Sequence, residues 1–82
     1  MASIVEIDQE VFKALRTLVP RGTEIRRDQR LIADLKLLSD DATAFALDME
    51  RRFRVKIPRV EWGSVLTVQD AIDLLARHAG PT

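Results

Sequence analysis

The apolar residues of this chain recur at steps of three and four in three segments, which is the pattern of amphipathic helices. The periodicity predicts helices over about residues 4–19, 40–53 and 67–78. Pro20 ends the first helix, and Gly80-Pro81 follows the last. The predicted buried stripes are Ile4, Ile7, Val11, Leu15 and Leu18; Ala42, Phe45, Ala46, Met49 and Phe53; and Val68, Ala71, Ile72, Leu75 and Ala79.

The connections between these helices are of three kinds. Residues 21–38 form a long loop that should pack onto the core, because structureless loops of this length are uncommon. Residues 54–58 should be extended, since Pro58 disfavours helix at the residue before it. Residues 60–63 predict a short helical turn carrying Trp62, which should plug the helix ends. The apolar side chains of the long loop are Ile25, Leu31, Ile32, Leu35, Leu37 and Leu38.

These elements predict an all-α fold. We expect a four-helix bundle with three main helices, one short helix and a long first loop, forming a single domain over residues 1–82.

Polar residues stand where each main helix should begin. Ser3 and Glu6 have capping-box spacing, and Asp8 is a competing cap for a shorter first helix. Thr67 is the predicted cap of the last helix. Ser39 occupies the predicted N-cap of the second helix, where its oxygen would accept a bond from a first-turn N–H. Such a serine is either a plain cap or an exposed hydroxyl that carries a covalent arm.

The composition excludes several kinds of chemistry. The chain has no cysteine, so a disulfide, a thiolate nucleophile and a thiolate metal site are impossible. No Ser/His/Asp set is assembled, so we expect a protein that is not an enzyme, with its single histidine, His78, at a helix C-terminus. The spacing of Asp34, Asp40 and Asp41 matches no calcium loop, which predicts no metal.

The apolar runs and the first residues bear on location. The apolar runs are too short for a membrane span. The first residues lack the pattern of a secretory signal, so we expect a cytoplasmic protein.

Charge is balanced overall but unevenly distributed. With 13 basic and 13 acidic residues, the chain has no general attraction to nucleic acid, and we expect no nucleic-acid partner. Five acids and one base lie from Asp34 to Glu50, whereas five bases and no acid lie from Arg51 to Arg59. Such clusters are either solvated surface or a docking surface of two signs. A third cluster, in the first loop, comprises Arg21, Arg26, Arg27 and Arg30.

Four segments after Ile25 follow one another in a recognisable order. Leu31-Ile32-Ala33-Asp34-Leu35 closes the long loop, and Ser39 then opens the second helix. Val55-Lys56-Ile57-Pro58 forms the extended link, and Leu66-Thr67-Val68-Gln69-Asp70-Ala71-Ile72-Asp73 opens the last helix. With Phe45, Met49 and Phe53 on the core face of the second helix, the chain resembles an acyl carrier protein from Ile25 to His78.

The resemblance implies a phosphopantetheine arm esterified to Ser39. A phosphopantetheinyl transferase would add the arm, and acyl-transferring or acyl-activating enzymes of a specialised fatty-acid, polyketide or related pathway would use the acyl or peptidyl group it carries. Such a carrier normally works as a monomer. The attachment motif departs from the family's Asp-Ser-Leu, because it is Leu38-Ser39-Asp40 here, with Lys36 where a glycine is common.

The second helix is also the docking helix of carriers. Leu47 lies off the core stripe, where carriers present an outward apolar residue, whereas Arg51 and Arg52 stand where carriers usually keep acids. The alternative is an unmodified, carrier-like module that binds partners through this helix and the basic clusters. The expected partner-binding residues are Asp40, Asp41, Leu47, Asp48, Glu50, Arg51 and Arg52.

Overall fold

Four helices make up the regular secondary structure of residues 2–80, which are the residues that the computed structural model of the chain describes. They are α1 (Ile4–Arg16), α2 (Ser39–Phe53), α3 (Arg59–Trp62) and α4 (Val68–Ala79). These residues contain no strand, and a single antiparallel bridge joins Arg30 to Thr67. The radius of gyration is 11.7 Å, which is about the value expected of a compact domain of this length. The predicted all-α bundle is confirmed.

The core is built from one face of each main helix and from side chains of the first loop. α1 packs against both α2 and α4, and α3 packs against α4. Each fully buried side chain of leucine size contributes about 1.5–3 kcal/mol. The largest fully buried side chains are Ile7, Val11, Leu15, Met49, Val68, Leu74 and Leu75.

The first helix is shorter than predicted and its first apolar residue is not in the core. α1 ends at Arg16, because the backbone N–H and the hydroxyl of Thr17 both donate to Ala14 O, the hydroxyl at 2.7 Å. Ser3 is the N-cap, accepting from Glu6 N at 3.1 Å. Ile4 is 49% exposed, because Ala2 fills that end of the core and donates its N–H to Ala79 O at 2.9 Å.

The long connection is held to the start of α4 by main-chain hydrogen bonds. Leu31 N donates to Leu66 O at 2.9 Å, and Val68 N donates to Gln29 O at 3.0 Å. Arg27 joins the loop to α1: its guanidinium pairs with Asp8 at 2.6 Å and lies 5.5 Å from the centre of the Phe12 ring.

Half of the loop's predicted core residues are buried. Leu31, Leu35 and Leu37 are buried and Ile25 is partly buried, as expected. Ile32 and Leu38 are instead 54% and 69% exposed, because in each pair of adjacent leucine or isoleucine residues only one side chain faces the core.

The segment between α2 and α4 is folded back onto α2. Arg54 ends α2 in the left-handed conformation, with φ 56° and ψ 45°, so the predicted extended link does not begin at Arg54. α3 starts one residue earlier than predicted. Trp62 packs edge-on against Phe45 with ring centres 6.2 Å apart, and its indole N–H donates to Glu50 Oε2 at 2.8 Å. Trp62 is therefore partly buried against the core, and its ring and N–H contact residues inside α2.

The last helix begins with a full capping box. Thr67 Oγ1 accepts from Asp70 N at 3.1 Å, while Asp70 Oδ2 accepts from Leu66 N and Thr67 N, each at 3.0 Å. Asp70 is therefore a capping residue of α4. α4 ends at Ala79 before Gly80, and Pro81 lies outside the described residues.

Candidate functional site

Ser39 is the first residue of α2, and its side chain does not cap the helix. The N-cap is Leu38, which has the extended conformation of a cap (φ −81°, ψ 162°) but no side-chain acceptor. Asp41 compensates by accepting from Leu38 N at 3.2 Å. The cap prediction for Ser39 is wrong because the helix starts one residue earlier than the sequence pattern placed it. Ser39 is exposed, and its hydroxyl has no hydrogen bond within residues 2–80.

The first turn of α2 has unused donors. The first N–H groups of any helix lack an intrahelical acceptor, and Leu38 supplies no side-chain oxygen to the N–H groups of Ser39, Asp40 and Asp41. These donors and the helix dipole favour an anion at this end. The Asp40 carboxylate is exposed beside them and has no ion-pair partner within the described residues.

Lys36 stands three residues before Ser39 in a backbone conformation that favours glycine. Its φ is 63°, in the left-handed region where a Cβ crowds the following carbonyl oxygen and costs roughly 1–2 kcal/mol. Leu37 N then donates to Leu31 O at 3.1 Å, which closes the end of the loop just before α2 begins. The turn at Lys36 therefore sets the direction in which Ser39 is presented.

The middle of α2 presents an apolar side chain next to a shallow groove. Leu47 is 54% exposed, as predicted. It lines an open groove of about 400 Å³ between the C-terminal end of α1 and α2, together with Leu18, Phe45 and Arg51. The Arg51 side chain is exposed and pairs with no carboxylate among residues 2–80.

Three of the residues expected to bind partners are engaged inside the fold. Arg52 pairs with Glu10 of α1 and, at 3.2 Å, with Asp48 one turn earlier on α2. The hydrogen bond to Glu10, followed by the one to Asp48, raises the pKa of Arg52. The Glu50 carboxylate holds the Trp62 indole. Asp48, Glu50 and Arg52 thus join α2 to α1 and α3.

Arg54 is not among the expected partner-binding residues, although it is the C-cap of α2 and follows Leu47 and Arg51 at helical spacing. Residues four and seven positions after Leu47 fall on its side of a helix, and Arg54 is exposed and unpaired within the described residues. The signal that would have found it is this spacing, extended to the C-cap of α2.

The remaining polar candidates have structural partners. His78 Nε2 lies 2.9 Å from Glu61 Oε1 and so joins α4 to α3, and it is not a cap of its own helix. Asp34 accepts from Arg30 N at 2.7 Å within the loop. Residues 2–80 contain no group of three or more His, Asp or Glu side chains that could hold a metal ion, and none of their helices is long and apolar enough to cross a membrane.

No model of a known protein family matches this chain. No curated protein matches it either.

Proposed function

We propose that this chain is an acyl or peptidyl carrier that bears a phosphopantetheine arm on Ser39. It would present thioester-bound groups to the enzymes of a specialised fatty-acid, polyketide or related pathway, as a cytoplasmic monomer. The observation that carries the proposal is the state of the Ser39 hydroxyl, which is exposed at the start of α2 and has no hydrogen bond within the described residues. Because Ser39 is not the cap of α2, helix capping does not explain why a serine stands at this position.

The start of α2 is suited to the phosphodiester of such an arm. The free N–H groups of the first turn can donate to phosphate oxygens, which would fix the arm at the helix end. Asp40 opposes this by adding negative charge, whereas the Asp41 carboxylate is turned toward Leu38 N. The arm would supply the thiol that a chain without cysteine lacks.

The turn before Ser39 also supports the proposal. Carriers commonly have a glycine at the position of Lys36, and Lys36 adopts the positive φ that glycine adopts without strain. Lys36 therefore has a backbone conformation that a glycine at this position would also accept.

Intact-mass spectrometry tests the arm directly. The chain would be incubated with coenzyme A and a broad-specificity phosphopantetheinyl transferase, beside a carrier known to be converted. We expect a mass increase of one phosphopantetheine group, lost in Ser39→Ala. The mass increase should be retained in Ser64→Ala. Ser64 is the matched control because it is exposed like Ser39, but its hydroxyl donates to Glu61 O. An unshifted mass with the control carrier converted would contradict the proposal.

A double exchange tests whether the altered triplet limits modification. Leu38→Asp with Asp40→Leu restores the family's Asp-Ser-Leu order without changing composition, and both positions are exposed. We expect faster modification than in the parent chain. If the folded double variant is modified no faster, the altered neighbours of Ser39 are not what sets the rate.

The second candidate is an unmodified interaction module. It is favoured by Arg51 and Arg54, which are exposed at the end of α2 and pair with no carboxylate in the described part of the chain. A partner recovered with the parent chain and bound equally well by Ser39→Ala, together with an unshifted mass in the loading experiment, would establish this function instead.

A further inference from the structure

Within residues 2–80, most acidic side chains have a hydrogen-bond or ion-pair partner, whereas most basic side chains pair with no carboxylate. All the acids except Glu6 and Asp40 accept a hydrogen bond or form an ion pair. Among the 13 lysines and arginines, only Arg26, Arg27 and Arg52 pair with a carboxylate in the described part of the chain. A formal charge of zero therefore coexists with a large excess of free cationic donors over free carboxylates.

These free cations are most concentrated between α2 and α3. We call Arg51, Arg54, Lys56 and Arg59 the basic end; all four are exposed. The carboxylates that flank it in sequence are both occupied, because Glu50 holds Trp62 and Glu61 holds His78. None of the four has a carboxylate within ion-pair distance among residues 2–80.

The basic end continues into an apolar surface. Leu47 and Arg51 lie one turn apart on α2, and Arg54 follows at helical spacing as the C-cap. Leu47 and Arg51 line the groove together with Leu18, which lies just after the end of α1. Val60, beside Arg59, is 80% exposed. The surface therefore combines apolar side chains with guanidinium groups that match carboxylates in a bidentate manner.

We propose that this surface binds an acidic amphipathic helix of a partner protein. The partner's apolar residue would contact Leu47 in the groove, and its carboxylates would pair with Arg51 and Arg54. The positive charge of this surface attracts acidic partners. Arg51 and Arg54 would bind the partner's carboxylates, whereas Arg52 is already paired with Glu10. The inference holds whether or not Ser39 carries an arm.

Other anionic partners fit this surface less well. Single-stranded nucleic acid needs exposed aromatic rings for base stacking, but Trp62 is packed against Phe45 with its N–H occupied. A membrane surface favours a long helix with an apolar face and a basic opposite face, whereas α3 has four residues and the apolar side of α2 faces the core.

The test uses a synthetic helical peptide with leucines along one side and glutamates next to them. Its binding to the ¹⁵N-labelled, unmodified chain would be followed by NMR, which detects weak complexes. We expect shift changes at Leu47, Arg51 and Arg54, with affinity falling as salt is raised. The same peptide with lysine in place of each glutamate should not bind.

Charge reversal locates the surface. Arg51→Glu with Arg54→Glu should weaken binding of the acidic peptide by about tenfold or more and create binding of the lysine peptide. The matched control, Arg21→Glu with Arg77→Glu, changes net charge equally at exposed positions outside the surface, and neither arginine has an ion pair within residues 2–80. It should leave the shift pattern at α2 unchanged.

Other results would overturn the inference. Absence of acidic-peptide binding, equal weakening by both double variants, or shift changes confined to other helices would each refute it. A single-stranded oligonucleotide or vesicles with anionic lipid, bound more tightly than the peptide through Arg51 and Arg54, would assign the surface to that partner instead. Because the unmodified chain is used, none of these results depends on the loading of Ser39.

Discussion

The start of α2 gives a pair of substitutions with different predicted effects on stability. Leu38 is the N-cap but has no side-chain acceptor, and at 69% exposure it contributes little buried surface. Leu38→Ser places a hydroxyl where it can accept from a first-turn N–H and completes the box that Asp41 half forms. A capping oxygen is worth about 1 kcal/mol, so this variant should be more stable by that amount.

Ser39→Ala should have almost no effect. The Ser39 hydroxyl makes no hydrogen bond within residues 2–80, and alanine has the better helix propensity, so the change should stay within about 0.5 kcal/mol. Ser39→Ala is therefore a clean variant for the loading experiment, because lost modification will not reflect unfolding.

Thermal and urea unfolding followed by circular dichroism measure both effects. For a domain of this size, 1 kcal/mol corresponds to a shift of about 4–8 °C in Tm. Thr67→Ala is the matched control, since Thr67 is a cap with its bond made at 3.1 Å, and it should lose about 1 kcal/mol. A loss of that size in Ser39→Ala, with no gain in Leu38→Ser, would show that Ser39 is the cap after all and refute the argument.

Three further substitutions test the fold around the site. Lys36→Gly relieves the left-handed strain at φ 63° but loosens the unfolded chain, so chemical denaturation should show a net gain of up to about 1 kcal/mol; a loss would mean that Lys36 is not strained. Hydrogen bonds from Thr67 N and then Leu66 N lower the pKa of Asp70 from its ordinary value of 3.8. The stability that these hydrogen bonds contribute is fully present when the pH is above the ordinary pKa, and it is lost as the pH falls through the lowered pKa of the folded state. Asp70→Asn should thus flatten the fall in stability on acidification below about pH 4, and an unchanged acid profile would contradict this. Met49→Ala empties a fully buried site and should cost about 2–5 kcal/mol in urea unfolding, whereas Leu47→Ala at the exposed position should cost far less.

The helices were predictable because their cause is local. The stripes of α2 and α4 recur at helical spacing, and the buried residues Phe45, Met49, Ile72 and Leu75 lie on them. The end of α1 was not predictable, since it depends on the bonds of Thr17 back to Ala14 rather than on Pro20. The role of Asp70 was missed because periodicity describes the helix interior, while a capping box serves the residues before it.

The sequence by itself determined that this protein is helical, has no thiol, and carries a serine next to the start of its second main helix. Those properties follow from apolar spacing and composition, which need no long-range contact. Only the tertiary structure decided which polar groups remain free. Within residues 2–80, it left the Ser39 hydroxyl without a hydrogen bond, paired Arg52 with Glu10, and left Arg51 and Arg54 exposed. Hydrogen bonds and ion pairs between distant segments decide this, because they depend on how the helices pack and on where the chain turns.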